Sequence, residues 1–340
     1  MAVQQPHGDG CGGGLKGILA NYPFRVEKIV PVKKVYRLVT DVGPKALKRV
    51  TYPTGNLLFM YSVMEHLWAR GFNRLARINL TSSGSPMVQR GEDKYFVSDW
   101  IEGREAAYTS EWDVAATAKC LTEIHQISRG FNLMPGSNLK SELGRWPENF
   151  YRRSEHLMEF IQETKDKKEK TKFDAIFLKH WERYYEEALA AQEQLVKSPY
   201  HLLVQQASQL PSLCHHDIAH HNVIMRDGQA HLIDFDYCLC DLRIHDVASL
   251  IIRVLKKNDW RISRGEKALK NYNRCSPLSQ NELRVILPFI MFPQDFWQVA
   301  WTYYREDIGR SEKESLSRMR KVVKSNKLRR EFIKEFTRWT

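Results

Sequence analysis

The most constraining feature of this 340-residue chain is a pair of short apolar segments joined by Asp227-Gly228. Residues 223–226 and 230–233 have the length and composition of strands, and an aspartate–glycine pair between them is a strong β-hairpin signal. A two-residue loop would place Asn222 opposite Ile233, and one further loop residue would place it opposite Asp234. In either register a carboxylate and an amide oxygen meet at the open end of the hairpin.

Further polar side chains precede this predicted hairpin. The sequence reads His215-x-Asp217-x4-Asn222 before it and Asp234-Phe235 after it. Magnesium takes oxygen ligands and usually keeps waters and substrate phosphates as its other ligands. The pattern therefore predicts a phosphoryl-transfer site in which Asp217 accepts the proton of an incoming hydroxyl. Asn222 and Asp234 would hold magnesium against the nucleotide phosphates.

Length and composition limit the class of protein. A chain of this length suggests two domains, and 43% hydrophobic with 27% charged residues excludes wholesale disorder. Six cysteines are too sparse for a disulfide scaffold. No apolar stretch approaches the roughly 18 residues that span a bilayer, and the polar N-terminus predicts no secretory signal. We therefore expect a cytosolic protein with reduced thiols and no membrane span.

Secondary-structure signals change along the chain. Residues 1–16 are glycine-rich and predict a flexible tail. Alternating apolar residues between 24 and 50 predict three antiparallel strands, followed by a helix over 57–70 and a strand at 95–98. After Gly103 the pattern is mainly helical, apart from the segment 213–237. A β-rich region of about a hundred residues therefore precedes a helix-rich remainder.

The catalytic pattern resembles that of the protein-kinase-like fold, and more closely that of aminoglycoside phosphotransferases and choline kinases. Those families carry the same histidine-x-aspartate-x4-asparagine loop and a following isoleucine-aspartate-phenylalanine. The resemblance implies an α+β fold of two lobes, with ATP and Mg²⁺ as cofactors. A small antiparallel β lobe with one helix would cover residues 17–100. A larger helical lobe over 104–340 would contain the catalytic loop, 213–237.

The resemblance also assigns roles to individual residues. Lys48 on the third strand would reach the nucleotide phosphates, and Glu65 on the next helix would be its ion-pair partner. A hinge over 98–103 would receive adenine on its backbone, and its candidate residues are Ser98, Asp99, Trp100 and Ile101. His215 would support the catalytic loop, and Asp246 in Asp241-Leu-Arg-Ile-His-Asp246 would brace it.

One element departs from the kinase-like pattern. The predicted turn between the first two strands, Pro31-Val-Lys-Lys34, contains no glycine. Backbone amides are therefore poorly suited to capture phosphate there. Lys33 or Lys34 would substitute as point charges.

A narrower resemblance covers nearly the whole chain. Three motifs, Val39-Thr-Asp-x-Gly43-x2-Ala46-Leu-Lys48, Trp100-Ile-Glu-Gly-Arg104 and the Cys214-His-x-Asp-x4-Asn loop, resemble the bacterial spore coat protein S family, which includes the YtaA-type coat proteins. The resemblance implies synthesis in the mother-cell cytosol and deposition on the spore coat. The expected partners are a small-molecule phosphate acceptor and other spore coat proteins.

Two other functions fit parts of the sequence. A structural coat component could keep the fold without turnover, and the glycine-free turn favours that alternative. Adjacent His-Asp pairs at His216-Asp217 and His245-Asp246 would suit a metal-dependent phosphohydrolase. That alternative leaves Lys48 and Glu65 without a role.

The charge of +12 is concentrated near the C-terminus. Residues 311–340 contain ten Lys/Arg and four Asp/Glu, with apolar residues at helical spacing. This pattern predicts an amphipathic helix with a basic outer face, either simply solvated or in contact with an acidic partner. No nucleic-acid-binding motif accompanies it, so nucleic acid is not an expected partner.

Overall fold

The computed structural model describes residues 11–210, 212–306 and 311–340. Contacts within the chain divide these residues into two compact units. The sheet unit holds residues 11–141 and 212–240, and the helical unit holds Glu142–Leu210 and Asp241–Thr340. The predicted division near residue 100 assigned the catalytic loop to the helical lobe, whereas its contacts group it with the N-terminal strands.

The sheet unit contains most of the β structure. Its elements are α1 (Cys11–Leu19), β1 (Val26–Val32), β2 (Val35–Thr40), β3 (Lys45–Val50), α2 (Thr54–Ala69), β4 (Ile78–Asn79), β5 (Val88–Arg90), β6 (Asp93–Asp99), β7 (Arg104–Glu105), α3 (Glu111–Ile127), β8 (Leu213–Cys214), β9 (Val223–Arg226), β10 (Gln229–Leu232) and β11 (Leu239–Cys240). Short 3₁₀ turns at His220–Asn222 and Phe235–Tyr237 flank the β9–β10 hairpin.

The main sheet is antiparallel, with strand order β1-β2-β3-β6-β4 and β5 on the edge of β6. Leu38 and Leu47 point into a core that is sealed by Leu15 and Ile18 of α1. Each fully buried leucine of this kind contributes about 1.5–3 kcal/mol of transfer free energy. The predicted three-strand meander is confirmed, and it places Lys48 opposite Phe96 in the middle of the sheet.

The predicted flexible tail requires a correction. Residues 1–10 lie outside the described residues, but Cys11–Leu19 is a helix rather than a tail. Leu15, Ile18 and Leu19 are buried against the sheet. Tertiary packing of these three residues outweighs the low helix propensity of the adjacent glycines.

The hairpin that carries the candidate site is attached to the rest of the sheet unit by hydrogen bonds. Strand β9 pairs with β7, and the amide of Leu232 donates to the carbonyl of Arg74. Gly103 makes the approach of β7 to β9 possible, since a Cβ at that position would lie 2.5 Å from the carbonyl oxygen of Met225. These contacts explain why the catalytic segment groups with the N-terminal strands.

The described residues of the helical unit form eight helices: α4 (Trp146–Asp166), α5 (Lys172–Lys197), α6 (Tyr200–Gln209), α7 (Ile244–Lys257), α8 (Ile262–Cys275), α9 (Gln280–Met291), α10 (Gln294–Tyr304) and α11 (Glu312–Thr337). Capping boxes start α5 and α9, where Thr171 pairs with Asp174 and Ser279 pairs with Glu282. The core between α4, α5, α10 and α11 is rich in aromatic side chains.

The predicted C-terminal amphipathic helix is confirmed as α11. Met319, Phe332 and Phe336 are buried, whereas most of the helix's lysines and arginines are exposed. Leu328, which the helical spacing placed on the apolar face, is 41% exposed. Among the residues that the structure describes, no helix is long and apolar enough to cross a bilayer.

Candidate active site

The β9–β10 hairpin closes with the shorter of the two predicted loops. Gln229 pairs with Arg226, so Asp227 and Gly228 alone form the turn. The amide of Ile233 donates to the carbonyl of Asn222 at 3.0 Å, which is the register expected for a two-residue loop. The backbone of Asn222 therefore lies one residue from Asp234.

Asp217 and Asn222 are in direct contact. Nδ2 of Asn222 donates to Oδ2 of Asp217 at 2.9 Å and to the Asp217 carbonyl at 3.1 Å. Asn222 is buried, and its amide nitrogen is used by Asp217, which leaves its amide oxygen to act as an acceptor or a ligand. The Asn222 side chain therefore orients the carboxylate of Asp217.

His215 links the catalytic loop to the segment after the hairpin. Its buried ring lies with Nε2 3.0 Å from the carbonyl of Ile233, and Nδ1 lies 3.4 Å from the amide of Asp217. A carbonyl only accepts, so Nε2 carries the hydrogen and Nδ1 accepts from the amide. This geometry agrees with the supporting role predicted for His215.

Two non-glycine residues of the site have left-handed backbones, His216 with φ 68° and Asp234 with φ 63°. Such conformations cost of order 1 kcal/mol or more and persist where the surrounding contacts enforce them. In this site they lie at the start of the catalytic loop and at the metal-ligand candidate. The strain therefore coincides with the residues to which the sequence assigned chemistry.

Lys48 lies between two carboxylates. Its Nζ is 2.7 Å from Oδ1 of Asp234 and 2.8 Å from Oδ2 of Asp236. The sequence predicted the first of these neighbours. It left Asp236 open between a second metal ligand and a solvent-facing carboxylate and favoured the latter, which the structure contradicts. The side chain of Asp236 is only 16% exposed. A second acid two residues after the predicted metal ligand was the available signal.

The three charges shift one another's pKa values. Burial acts to lower the pKa of Lys48, but the charges of Asp236 and Asp234 outweigh it and raise that pKa. Burial and the nearby Asp234 charge raise the pKa of Asp236 despite Lys48. For Asp234, burial is outweighed by Lys48, which lowers the pKa. One ammonium is therefore shared by a readily ionised carboxylate and one that resists ionisation.

The predicted Lys48–Glu65 ion pair is not formed. Glu65 instead accepts from Nε and Nη2 of Arg77 at 2.8 and 2.7 Å, and Arg77 also stacks on the ring of Trp68. The physical reason is a nearer, two-donor partner, because a guanidinium binds a carboxylate through two parallel hydrogen bonds. Arg77 was not singled out by sequence analysis, since it belongs to no motif.

The predicted adenine-binding segment has most of its amides in use. Ser98 lies in β6 between β3 and β4, the amide of Asp99 donates to Arg77, and the amide of Trp100 donates to Pro44. No hydrogen bond within the described residues occupies the amide of Ile101. Among these candidates, Ile101 therefore retains a free backbone donor.

The turn between β1 and β2 is tighter than the sequence suggested. Val32 pairs with Val35, so only Lys33 and Lys34 form the turn, and a loop able to cradle phosphates is absent from this described segment. Lys33 is 2.7 Å from Glu105 in an exposed ion pair. Lys34 is exposed and has no described carboxylate partner.

The oxygen donors of the site fit a hard divalent cation. Oδ1 of Asp236 is buried and receives no hydrogen bond from any described residue. With the carboxylate of Asp234 and the amide oxygen of Asn222, it provides oxygen ligands of the kind that magnesium prefers.

The hydrolase alternative depends on the two His-Asp pairs, and the predicted brace of the catalytic loop depends on Asp246. The His216-Asp217 pair belongs to the sheet unit and the His245-Asp246 pair to the helical unit, and the hydrolase alternative stays untested. Asp246 is fully buried in the first turn of α7, in the helical unit. Its role as a brace of the catalytic loop stays a prediction.

Comparisons with solved structures agree with this geometry. The chain shares its fold with an aminoglycoside phosphotransferase from Alicyclobacillus acidocaldarius, with a TM-score of 0.82, 20% identity, and coverage of 99% of this chain and 97% of that one. A spectinomycin phosphotransferase, APH(9)-Ia, solved with ADP and spectinomycin, has a TM-score of 0.68, 14% identity, and coverage of 94% and 98%. Choline kinases are also among the structural neighbours. The predicted α+β kinase-like fold is confirmed.

Sequence comparisons identify the family. Spore coat protein S of Bacillus subtilis (strain 168) is 23% identical over 293 residues, which cover 84% of this chain and 83% of that protein. The family described as "Spore coat putative kinase YutH" matches residues 17–336. The predicted relation to spore coat proteins is confirmed, and the chain belongs to the YutH family of spore coat kinase-like proteins.

Proposed function

We propose that this protein is an ATP- and Mg²⁺-dependent phosphotransferase that acts on a hydroxyl or amine of a small molecule. The observation that carries the proposal is the position of the Lys48 ammonium, within 2.8 Å of both Asp234 and Asp236. Lys48 is largely buried between two carboxylates, and Asp234 directly follows Ile233, whose amide donates to Asn222. Together with the Asp217–Asn222 pair, these groups supply the charges that phosphoryl transfer requires. A scaffold has no physical need for that arrangement.

Each residue then has a defined task. Ile101 offers its free amide to adenine, and Lys48 binds the nucleotide phosphates. Asn222, Asp234 and Asp236 hold magnesium, which when bound neutralises charge on the phosphates. Lys34, the unpaired lysine of the β1–β2 turn, would contact phosphate in place of a glycine-rich loop.

Asp217 performs the proton transfer. Its carboxylate, oriented by Asn222, accepts the proton of the acceptor hydroxyl while the oxygen of that hydroxyl bonds to the γ-phosphorus. The bond between the γ-phosphorus and the bridging oxygen breaks, and ADP leaves. Most of the rate enhancement would come from positioning and charge neutralisation.

Phosphate transfer from ATP to a metabolite is the direct test. The purified protein is incubated with ATP, Mg²⁺ and an extract of sporulating cells, and mass spectrometry then identifies any species that gains a phosphoryl group. An Asp217→Asn variant is the matched control. A product that forms equally with both proteins would contradict the role of Asp217.

The second candidate is a structural component of the spore coat that no longer turns over. The two-residue β1–β2 turn favours it, because that turn offers no amide cradle for phosphates. Thermal stabilisation by millimolar Mg²⁺–ATP separates the two functions, and its absence would favour the scaffold. In either case we place the protein in the spore coat after synthesis in the mother cell, where other coat proteins are its expected partners.

A further inference from the structure

Helices α4 and α10 of the helical unit share a seam of regularly spaced side chains. Residues three and four apart lie on one face of a helix, so positions i, i+3 and i+7 align along such a seam. The side chains concerned are Arg153, His156 and Phe160 on α4 and Gln294, Trp297 and Trp301 on α10. Most of these side chains are aromatic. The first layer of the seam is formed by Arg153, which is a cation, and Gln294.

The cation of that layer, Arg153, has Glu142 as an opposite charge but no ion-pair partner among the described residues. Its Nη1 donates to Oε1 of Gln294 at 2.8 Å, and its guanidinium lies 4.9 Å from the centre of the Trp297 ring. No carboxylate of the described residues forms an ion pair with it. Burial, together with the like charge of Arg152, lowers the pKa of Arg153 to about 10.

The start of α10 adds positive potential beside this arginine. Gln294 is the first residue of α10, and the preceding Pro293 provides no side-chain cap. Free amides at a helix N-terminus carry partial positive charge. In α10 the amides of Gln294 and Phe296 donate to the carbonyls of Phe292 and Pro293, so among the first three only that of Asp295 makes no hydrogen bond within the described residues. Asp295 in the same turn forms an ion pair with Lys256, at 2.6 Å. Arg153 therefore lies beside the start of α10 without an ion pair to any described carboxylate.

Other arginines of the helical unit do have carboxylate partners. Arg243 pairs with Glu282 at 2.6 Å, and Arg329 and Arg305 pair with Glu187 and Glu163. These three arginines are therefore neutralised by the chain itself. Arg153 departs from this pattern, and its Nε and Nη2 donors make no hydrogen bond within the described residues.

We propose that Arg153, the side chain of Gln294 and the Trp297 indole form a subsite for an anionic group, a carboxylate or a phosphate monoester, carried by a small ligand. The free Nε and Nη2 edge of a guanidinium matches the two oxygens of such a group. The indole supplies a flat apolar wall for the body of the ligand. The subsite lies wholly within the helical unit, and it does not depend on phosphoryl transfer.

The test uses three aromatic probes that differ in charge, namely benzoate, phenyl phosphate and the uncharged benzamide. Binding to the full-length protein is measured by ligand-observed NMR at constant ionic strength and without nucleotide. We expect at least one anion to bind about tenfold more tightly than benzamide, because hydrogen bonds to charged groups are the stronger ones. A preference for benzoate identifies a carboxylate ligand, and a preference for phenyl phosphate identifies a phosphate ligand.

Two variants and a control decide whether the named residues are responsible. Arg153→Met should reduce anion affinity about tenfold, and Gln294→Leu should reduce it by a smaller factor. Arg152→Met removes the adjacent exposed arginine, whose described hydrogen bond is to Asn149, and should leave affinity unchanged.

The proposal is overturned if benzamide binds as tightly as the anions or if none of the three probes binds. It is also overturned if Arg153→Met binds as well as the unmodified protein, or if Arg152→Met loses as much affinity. Since no nucleotide is present, these results are independent of any failure of the proposed kinase activity.

Discussion

Each unit of this protein contains a largely buried cation, and the two cations differ in whether a carboxylate pairs with them. In the sheet unit, Lys48 lies within 2.8 Å of the carboxylates of both Asp234 and Asp236. In the helical unit, Arg153 is partly buried against Trp297 and forms no ion pair with a described carboxylate. Desolvating a charge costs several kcal/mol unless a partner offsets it. The first cation is therefore neutralised by carboxylates of the chain, and the second is the one for which we propose an anion from outside it.

The largest expected effect is on catalysis. Asp217→Asn should lower turnover about 10²–10⁴-fold, because the amide can no longer accept the proton of the acceptor hydroxyl. Thermal stabilisation by Mg²⁺–ATP should persist, since Asp217 is not among the residues assigned to the nucleotide. Loss of nucleotide binding together with turnover would contradict this assignment.

Removing Lys48, the cation that pairs with two carboxylates, should have the next largest effect, and this effect is on stability. Lys48→Met leaves two carboxylates facing each other and should cost about 2–4 kcal/mol of unfolding free energy. Millimolar Mg²⁺ should recover part of the loss, because the divalent cation can replace the ammonium. Lys45→Met, whose lysine pairs with Asp99 alone at 2.7 Å, is the matched control and should show no Mg²⁺ recovery. Chemical denaturation with and without Mg²⁺ measures both.

The two aspartates around Lys48 should differ in how their contributions depend on pH. Asp234 has a lowered folded-state pKa, so its stabilisation is present above the unfolded value, about 3.9, and is lost as pH falls through the folded value. Asp236 has a raised pKa, so its contribution is present below about 3.9 and is lost as pH rises through the folded value. Asp234→Asn should therefore destabilise more at pH 7 than near about pH 3, and Asp236→Asn should show the reverse.

The effect on Asp234 should be small, about 1 kcal/mol or less, because its carboxylate is partly exposed and therefore screened by solvent. Denaturation curves of both variants across this pH range provide the measurement. Parallel pH profiles for the two variants would contradict opposite pKa shifts for Asp234 and Asp236.

Removal of Arg153, the cation without an ion pair, should be tolerated by the fold. Arg153→Met should leave the unfolding free energy unchanged or raise it by up to about 1 kcal/mol, since no described ion pair is lost. Arg243→Met breaks the pair with Glu282 and should cost about 3 kcal/mol by the same measurement. Equal losses in the two variants would remove the contrast between satisfied and unsatisfied arginines.

The smallest expected effect is that of Glu65. Because Glu65 binds Arg77 and not Lys48, Glu65→Gln should change turnover by no more than about twofold. Steady-state kinetics beside Lys48→Met provide the comparison. A loss of turnover as large as that of Lys48→Met would support the lysine–glutamate pair that the sequence predicted.

Local sequence patterns were sufficient to predict much of the candidate site. The Asp227-Gly228 turn between two apolar segments predicted the hairpin, and a two-residue loop brought Asn222 opposite Ile233. Such signals succeed because a tight turn and the two-residue period of a strand act over a few residues. The order of the strands and the place of Lys48 in the sheet followed from the same kind of pattern.

Contacts between distant residues could not be obtained in that way. Glu65 could pair with any nearby cation, and only the folded chain brings Arg77 closer than Lys48. From sequence, Asp236 could be a second metal ligand or a solvent-facing carboxylate, and only the folded chain buries it beside Lys48. The charge of Arg153 is visible in the sequence, but the absence of a described ion-pair partner is not.

The sequence by itself therefore determined the hairpin, the meander of the first three strands and the pattern of the catalytic loop, because turn chemistry and side-chain periodicity are local. The tertiary structure alone decided which charges meet and which remain unmatched. Ion-pair energies depend on distances of a few ångströms and on burial, and packing sets both between residues far apart in the chain.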